Sequence, residues 1–580
     1  MNFNGLFLHY KSIFSLIGKK RRIHFLLILF LMILTALFEV ISIGALVPFI
    51  GILISPSHIL ENKQIINIFS FFGITEKDNI ILLLTLLFVF AAIFSGAIRI
   101  LLVWSNARFS FGTGAELGRK ILEKTLNEPY ISHLGKNSSE IISGITKKID
   151  LFVQGGLLAS LIILSSAISL LFILFALFAI NWKIALSSII ILLGFYIVII
   201  LVVRGRIKKN AIFISINLNK IFQSIQESLF NLKEIILYNS QDFFVDSFKK
   251  LDTPMRSAQG NNLFLSQFPR YVLEIFAITS IALIAYILTI SNDTVNMSIL
   301  PTLAAFALGG QKILPAIQQG YSAWSTIIGT MPSVKDAVQL LKKENFKNEE
   351  IINKLEFKKS VVLKNISFTF SSGKSKVLDS LDLKITKGDK IGIVGTTGSG
   401  KSTLIDIILG LLKPDTGTIE VDGKRIENSN VKNWQKNIAY VPQEPFLIDA
   451  SFLENIAFGV DPKEVDMKNL IDASKVSCIL DFINSKENGF KFKIGENGSL
   501  LSGGQKQRLA ISRALYRKTN TLILDEASSA LDKKTEIQLL NNLILLNAKI
   551  TVILITHKLE SLKKFNKIFE IKNGSIIKLK

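Results

Sequence analysis

The sequence predicts two joined domains, a six-span α-helical transmembrane domain followed by an α/β domain built around a phosphate-binding loop (P-loop). Hydrophobic residues make up 49% of the 580 residues, and long apolar segments fill the first part of the chain. After residue 355, short β-rich runs alternate with helical stretches, which indicates an α/β domain with a largely parallel core sheet. One of these runs leads into a glycine-rich turn and then a helix, the order of elements in a P-loop.

The apolar segments of the first part are long enough to span a membrane. Each has about 20 residues or more, which as a helix crosses ~30 Å of hydrocarbon. The six segments are residues 23–54, 79–104, 157–180, 184–203, 269–290 and 297–325. We therefore expect a transmembrane domain over residues 1–332, a charged linker over 333–354 and the α/β domain over 355–580. The single cysteine, Cys478, excludes an internal disulfide.

The loops between these segments differ in positive charge. The Lys and Arg counts are five in 1–22, seven in 105–156 and nine in 204–267, against two in 55–78, one in 181–183 and none in 291–296. The positive-inside rule then places both termini, the two long loops and the α/β domain in the cytoplasm of a multi-pass inner-membrane protein. These loops hold much of the net charge of +22, so we expect no nucleic-acid partner.

The outer loop at 61–73 carries an apolar set broad enough for a helix at the membrane interface. A loop helix packed against the spans is an equally good interpretation of that pattern.

The P-loop pattern lies in "IGIVGTTGSGKSTLIDIILG". Gly395, Gly400, Lys401 and Ser402 match G-x-x-x-x-G-K-[ST]. Glycines let backbone N–H groups wrap phosphates, the lysine meets the β and γ oxygens, and the hydroxyl binds Mg²⁺. The expected nucleotide contacts are Gly395, Thr396, Thr397, Gly398, Ser399, Gly400, Lys401, Ser402 and Thr403.

Two later strands end in candidate catalytic residues. "TLILDE" ends in Asp525, expected to hold Mg²⁺ through water, and Glu526, expected to polarise the attacking water. His557 follows the strand "TVILIT". A lone histidine is more often structural, but this one follows the last core strand, at the edge of the sheet where nucleotides bind.

A second glycine-rich turn, "LSGGQ", precedes an apolar helix pattern. A helix N-terminus with unpaired N–H groups attracts phosphate, so the chain carries two phosphate cradles about a hundred residues apart.

The ordered motifs "GTTGSGKS", "VPQEPF", "LSGGQ", "LILDE", "SALD" and "ITH" resemble the ATP-binding cassette of the ABC transporters. The resemblance implies ATP and Mg²⁺ as cofactors and ATP hydrolysis as the reaction. It implies that the second cradle, Ser502, Gly503, Gly504 and Gln505, closes on ATP held by the other cassette of a dimer. It also implies catalytic roles for Lys401, Gln443, Glu526 and His557, Mg²⁺ contacts from Ser402, Gln443 and Asp525, and nucleotide contacts from Phe370 and Asp532.

Six helices and one cassette resemble half of an ABC exporter. The implied fold class is an exporter-type transmembrane domain followed by an α/β P-loop ATP-binding cassette. One cassette cannot supply both faces of a site, so the resemblance implies a second identical chain as partner, in a homodimer.

Charged residues inside the spans bear on the substrate, since each costs roughly 2.5–3.5 kcal/mol at a helix centre. They are Glu39, Arg99, Arg270, Glu274 and Lys312. Facing a cavity is one interpretation. The other is structural pairing, of Arg270 with Glu274 at i,i+4 and of Glu39 with a basic residue.

These spans resemble bacterial flippases that move lipid-linked oligosaccharides for protein N-glycosylation. The resemblance implies an amphipathic substrate, a polyprenyl-pyrophosphate-linked oligosaccharide, bound by Arg99, Arg270 and Lys312. Lipid A and peptide exporters share the implied fold and remain alternatives. An ATP-gated channel or regulator is a further alternative, which intact Glu526 and His557 disfavour.

Overall fold

The structure, a computed structural model, describes residues 18–54, 77–135, 137–180, 182–291, 300–342, 355–370, 375–545 and 550–580. The chain divides into two units, of which the first comprises 1–128 and 135–346 and the second 347–580 with the short segment 129–134. The outer loop at 61–73 lies outside the described residues.

Helices make up the first unit. In chain order they are α1 (Lys19–Ile54), α2 (Lys77–Asn127), α3 (138–180), α4 (Trp182–Phe230), the short α5 (Leu232–Leu237), α6 (Gln241–Ser291) and α7 (Leu300–Lys342). Each of the six long helices contains all or most of one predicted apolar segment. Among the described residues, three stretches are long and apolar enough to cross a membrane: Lys19–Ser42, Ile81–Asn127 and Ser138–Ala179. The predicted helical transmembrane domain is therefore confirmed.

Several of these helices are longer than a membrane requires. Helices α2 and α6 each have 51 residues, which corresponds to about 75 Å at 1.5 Å per residue. That is more than twice the ~30 Å of hydrocarbon in a bilayer. The apolar spans therefore continue as helices into the long, positively charged loops.

Helix α7 ends at Lys342, so residues 333–342, which we expected in the linker, are helical. Val334, Ala337, Val338 and Leu341 are buried in the core of the first unit. Their spacing of i, i+3, i+4 and i+7 is that of one helix face. The charges between them gave this segment the composition of a linker, but its apolar face packs as helix.

Helix α3 is not a regular α-helix. Its α-helical parts, Ser138–Ser143, Ile149–Leu151 and Ala159–Ile180, are joined by π-helical segments at Gly144–Lys148 and Phe152–Leu158. Lys148 lies buried in the first π-helical segment and forms an ion pair with Asp336 of α7 at 2.9 Å. Neither feature has a signal in the hydrophobic pattern.

The second unit contains two sheets. Its strands are β1 (Ser360–Phe368), β2 (Leu378–Thr386), β3 (Lys390–Gly395), β4 (Thr416–Val421), β5 (Lys424–Arg425), β6 (Ile438–Val441), β7 (Thr521–Asp525), β8 (Thr551–Ile555), β9 (Lys567–Lys572) and β10 (Ser575–Lys578). Its helices are α8 (Lys401–Ile408), α9 (Val431–Gln435), α10 (Phe452–Ile456), α11 (Met467–Val476), α12 (Leu480–Asn484), α13 (Gly503–Tyr516) and α14 (Lys533–Leu545).

The larger sheet has the order β10-β9-β3-β8-β7-β6. All of its pairings are parallel except that of β10 with β9, and the smaller sheet, β2-β1-β4-β5, is antiparallel. The predicted parallel core is therefore confirmed. The P-loop, Gln443, Glu526 and His557 follow β3, β6, β7 and β8, so they meet at one edge of the sheet, the edge where such folds bind ligands.

Candidate nucleotide site and membrane cavity

The P-loop connects β3 to α8 through a turn that only glycine fits at two positions. Gly400 precedes α8 with φ +103°, and a Cβ on it would lie 2.9 Å from the Val377 carbonyl oxygen. A Cβ on Gly395 would lie 2.6 Å from the carbonyl oxygen of Ile571. Side chains at either position would push the loop apart. The backbone therefore keeps the close turn that lets its N–H groups converge.

Two polar groups of this loop point to an anionic ligand. The Lys401 ammonium is buried and donates to the loop's own carbonyls, Gly395 O at 2.8 Å and Thr396 O at 2.9 Å. The buried Ser399 hydroxyl has no hydrogen-bond partner among the described residues. A fixed cation and an unpaired donor within a nest of N–H groups fit the phosphates of a nucleotide.

Asp525 ends β7 and accepts a hydrogen bond from the Tyr440 hydroxyl at 3.2 Å. Burial raises the pKa of Asp525 and the adjacent Glu526 raises it further, while the bond from Tyr440 and the charge of Lys401 act in the opposite direction. Asp406, on α8, belongs to the same group of charges. Burial and, second, Asp525 raise the pKa of Asp406 to about 6. Sequence reasoning did not identify Tyr440 or Asp406.

A single Mg²⁺ fits these residues if phosphate and water complete its coordination. The Ser402 hydroxyl is exposed on the first turn of α8, and Asp525 supplies a carboxylate. No cluster of three or more His, Cys, Asp or Glu side chains that could hold a metal occurs in the described ranges. Mg²⁺ in nucleotide sites commonly takes one or two protein ligands and binds substrate phosphates for the rest.

Glu526 is held from two sides. Its Oε1 lies 2.5 Å from His557 Nε2, and its Oε2 accepts from Gln443 Nε2 at 2.9 Å. Its backbone has φ +48°, an uncommon conformation for a non-glycine residue and one that clusters at functional sites. The structure thus brings together three of the predicted catalytic residues, and His557 is a partner of the glutamate.

The second cradle is a capped helix N-terminus. The Ser502 hydroxyl accepts from the Gln505 N–H at 3.4 Å, and the Ser502 N–H donates to Gln505 Oε1 at 2.8 Å, which forms a capping box on α13. A Cβ on Gly504 would lie 2.9 Å from Ala530 O. In the described part of the chain, no hydrogen bond or ion pair joins this turn to the P-loop.

Gln507, which we did not predict, ties the second cradle to the catalytic strands. It is buried, donates to Ser529 Oγ at 3.2 Å and to Gln443 O at 3.5 Å, and accepts from the Ala530 N–H at 3.1 Å. Because it sits on the buried face of α13, its amide fixes the register of that helix against the segments after β6 and β7. The one signal for Gln507 in the sequence was its position, a polar residue on the apolar face of a predicted helix.

The other two predicted nucleotide contacts lie at less enclosed places. Asp532 precedes α14 and accepts from the Thr535 N–H at 3.0 Å, which lowers the pKa of Asp532. Phe370 packs edge-on against Phe368 with ring centroids 5.0 Å apart. Within this chain, Asp532 therefore caps the start of α14, and Phe370 is a partly buried ring that packs on Phe368.

The first unit contains a cavity of about 670 Å³ among α2, α3, α6 and α7. Its lining consists of Phe111, Gln154, Leu158, Ala159, Ile162, Gln267, Arg270, Tyr271, Gln318, Gln319, Ser322, Ala323 and Thr326. Of the three cations expected to bind substrate, this lining includes Arg270 and omits Arg99 and Lys312.

The intramembrane charges are arranged differently from the expected three-cation site. Arg99 Nη1 lies 3.3 Å from Glu39 Oε1, and Glu39 is buried. Lys312 interacts electrostatically with both. Arg270 and Glu274 are exposed, and no ion pair joins these two described side chains. The pairing interpretation therefore holds for Glu39 and fails for Arg270 with Glu274. The physical reason is that a buried carboxylate needs a cation nearby.

Comparison with known proteins identifies both halves. A family model described as "ABC transporter transmembrane region" matches residues 25–309, and one described as "ABC transporter" matches residues 378–529. Together they cover most of the chain.

Relatives and solved structures agree with these matches. "Heterocyst differentiation ATP-binding protein HepA" of Nostoc is 29% identical, covering 96% of this chain and 90% of that protein. "ATP-dependent lipid A-core flippase" of Vibrio parahaemolyticus is 30% identical, covering 65% of this chain and 64% of that protein. A solved structure described as "Structure of a bacterial Atm1-family ABC exporter with ATP bound" matches with a TM-score of 0.76 and 19% identity, covering 96% and 95% of the two chains. The last likeness shows the fold.

Proposed function

The chain belongs to the ABC transporters, as an exporter half whose transmembrane domain and ATP-hydrolysing cassette share one polypeptide, and on that basis we propose that it moves a phosphate-bearing glycolipid across the inner membrane. The observation that carries the proposal is the Gln443–Glu526–His557 cluster. Its presence in the same chain as the membrane-spanning helices favours turnover-driven transport over the alternative of an ATP-gated channel.

In this proposal Glu526 is the general base. Its carboxylate accepts the proton of the attacking water, and the bonds from Gln443 and His557 keep both carboxylate oxygens oriented toward the end of β7. Ser402, Gln443 and Asp525 would hold Mg²⁺, which supplies charge neutralisation on the phosphates when bound. Lys401 and the P-loop N–H groups would hold the β and γ phosphates, and Phe370 would stack on adenine.

The second cradle acts across a dimer in this proposal. The capping box already satisfies the Ser502 hydroxyl and the Gln505 side chain within the turn, so the turn is rigid and its first N–H groups remain for an anion. A second identical chain would bring this turn onto the nucleotide of its partner, with Asp532 next to it. Two equivalent sites then form in a homodimer.

Two substrate classes are consistent with the chain, and the comparisons favour the second. The resemblance of the spans suggests a polyprenyl-pyrophosphate-linked oligosaccharide. The relative from Vibrio parahaemolyticus, at 30% identity, is named for lipid A-core, which supports lipid A as the better candidate. Both are lipids whose sugar headgroup carries phosphate. We propose that shared chemistry as the substrate class.

In the same proposal, the positive charge of the loops decides which side of the membrane the cavity faces. With both termini and the cassette in the cytoplasm, the cavity lined by Gln154, Gln267 and Arg270 lies at the cytoplasmic ends of the spans, where Arg270 begins its apolar segment. A headgroup would therefore enter from the cytoplasmic leaflet.

The test is ATPase stimulation of the purified protein in nanodiscs by a panel of lipid A, undecaprenyl-pyrophosphate-linked N-acetylglucosamine and a hydrophobic peptide. We expect at least twofold stimulation by one or both glycolipids and none by the peptide. Stimulation by the peptide alone would contradict the proposal.

A further inference from the structure

The cavity of the first unit is rich in amide side chains. Four of its thirteen lining residues are glutamines, and no Asp or Glu is among them. Its volume of about 670 Å³ lies in the range of sites that bind small molecules, about 300–1,000 Å³. A cationic ligand would find no counter-charge in this lining, so the cavity suits a neutral or anionic polar group.

One of the four amides is structural. Gln318 on α7 donates to the Ser266 carbonyl oxygen at 3.0 Å and accepts from the Tyr196 hydroxyl at 3.2 Å. These bonds link α7 to α4 and α6, and they leave Gln318 with little capacity for a ligand. Gln318 therefore fixes the cavity wall.

The other three amides are not engaged. The side chains of Gln154, Gln267 and Gln319 are exposed to the cavity and form no hydrogen bond with another described residue. These three side chains come from three different helices, α3, α6 and α7, and meet in one cavity lining. Arg270, one turn from Gln267, lies in the same lining and forms no ion pair with a described acid.

The π-helical segment of α3 gives independent support. Phe152–Leu158 includes both Gln154 and Leu158, two residues of the lining. π-helical turns are rare and occur frequently at functional sites, because they shift side chains out of the α-helical register. Gly155, in the same segment, packs directly against Thr330, so the segment is held firmly by α7.

From this geometry we propose that the cavity is a headgroup subsite for a phosphorylated sugar, with Gln154, Gln267 and Gln319 binding sugar hydroxyls and Arg270 binding phosphate. An amide both donates and accepts hydrogen bonds, which matches hydroxyl groups that do the same. The planar guanidinium pairs with two phosphate oxygens. The inference rests on the proposed function and adds which residues recognise the sugar.

The experiment separates the sugar from the phosphate. The protein in nanodiscs is titrated with lipid A, with undecaprenyl-pyrophosphate-linked N-acetylglucosamine, and with two lipids that carry phosphate and no sugar, undecaprenyl pyrophosphate and phosphatidic acid. The measured quantity is the lipid concentration that gives half-maximal ATPase stimulation. The variants are the double substitution Gln267→Leu/Gln319→Leu, Arg270→Gln, and the control Gln259→Leu, which lies on α6 outside the cavity lining.

For the double variant we expect the half-maximal concentration of the stimulating glycolipid to rise about tenfold, since two hydrogen bonds are lost, with no change for the sugar-free lipids. Arg270→Gln should raise the value for both classes, and the control should match wild type. If thermal unfolding shows that the double variant does not fold, each single leucine variant should give about a threefold rise. The glycolipid that responds identifies the source of the headgroup.

An unchanged value for the stimulating glycolipid, or an equal rise for the sugar-free lipids, would overturn the subsite. Stimulation of wild type by sugar-free lipids as strongly as by glycolipids would also overturn it, while export of a phosphate-bearing glycolipid would still be possible without recognition of its sugar. A wild type that no lipid stimulates would overturn the proposed function itself.

Discussion

At the scale of single residues, the proposed role of Glu526 as general base depends on how its carboxylate is held. Glu526 is fixed through both oxygens, by His557 at 2.5 Å and by Gln443 at 2.9 Å. The charge on Glu526 is thus kept where β7 ends, beside Asp525. Orientation by two partners is what a general base needs, since proton transfer requires a fixed geometry.

We expect Glu526→Gln to lower ATP turnover at least 100-fold, because an amide cannot accept the proton of water. ATP binding should persist, since the P-loop is unaltered. Phosphate release and nucleotide binding by the purified variant measure the two effects. The control is Glu560→Gln, an exposed carboxylate 3.6 Å from Lys533. Turnover within a few-fold of wild type would exclude Glu526 as the base.

Asp406 makes stability depend on pH. Its pKa is raised from 3.8 to about 6 in the folded protein by burial and by Asp525. Between these values the folded state binds more protons than the unfolded state, so stability falls as pH rises from about 4 to about 6. Above that range Asp406 is charged in both states and remains unfavourable in the folded one.

Asp406→Asn should therefore raise the thermal unfolding midpoint at pH 7.5 and flatten its dependence between pH 4 and 6. Thermal unfolding of the detergent-purified protein at several pH values measures both. A lower midpoint at pH 7.5, with the wild-type slope retained, would show that the carboxylate is favourable there.

At the scale of elements, the second cradle and the P-loop are each complete as backbone structures. The capping box holds the start of α13, and Gln507 anchors that helix to the segments after β6 and β7. Among the described residues, no hydrogen bond or ion pair joins the second cradle to the P-loop of the same chain. The proposed assembly of one nucleotide site from two chains would account for that arrangement.

Mixed dimers test this assignment. Lys401→Ala on one chain and Ser502→Arg on the other should leave one intact site and about half of the wild-type ATPase rate, or less if the sites are coupled. Both substitutions on one chain, opposite a wild-type chain, should spoil both sites. Equal rates for the two arrangements would rule out action across the dimer.

Helix packing in the first unit predicts how replacement of one glycine of α3 changes thermal stability. A Cβ on Gly155 would clash with the Thr330 side chain of α7, whereas one on Gly118 of α2 meets nothing within 4 Å. Gly155→Ala should therefore lower the thermal unfolding midpoint by several degrees. Gly118→Ala should hold or raise it, because alanine favours a helix by about 1 kcal/mol over glycine. Equal midpoints for the two variants would show that α3 and α7 separate easily.

The sequence predicted those elements whose signals are local. Apolar length marked the spans, and the fixed spacing of glycine, lysine and serine marked the P-loop. The features it missed depend on contacts between distant residues. Pairing of Glu39 with a cation was one interpretation of the sequence, but the partner was not named, because Arg99 lies 60 residues away. The helical end of α7 was missed because it depends on packing against α2 and α3. The π-helical segments of α3 were also missed, because no characteristic amino-acid composition distinguishes them from α-helix.

At the scale of the whole molecule, membrane helices and ATPase cassette lie in one chain, and the proposed working unit has two. A closed dimer of cassettes can bias the transmembrane domains only by differential affinity for the two states. A shift from 1:99 to 99:1 needs about 5.5 kcal/mol. Contacts to phosphate at two ATP sites, both closed across one interface, could supply this free energy. Hydrolysis of the ATP would remove those contacts.

The central claim is that ATP hydrolysis moves a phosphate-bearing glycolipid from one leaflet to the other. Its most direct measurement is a proteoliposome assay with fluorescently labelled lipid A or labelled undecaprenyl-pyrophosphate-linked N-acetylglucosamine. After incubation with ATP, a reductant added outside the vesicles destroys the fluorescence of the labels in the outer leaflet. We predict an ATP-dependent change in the accessible fraction with wild type, and none with Glu526→Gln. Equal accessibility with and without ATP for both lipids, in vesicles whose ATPase is active, would contradict the account.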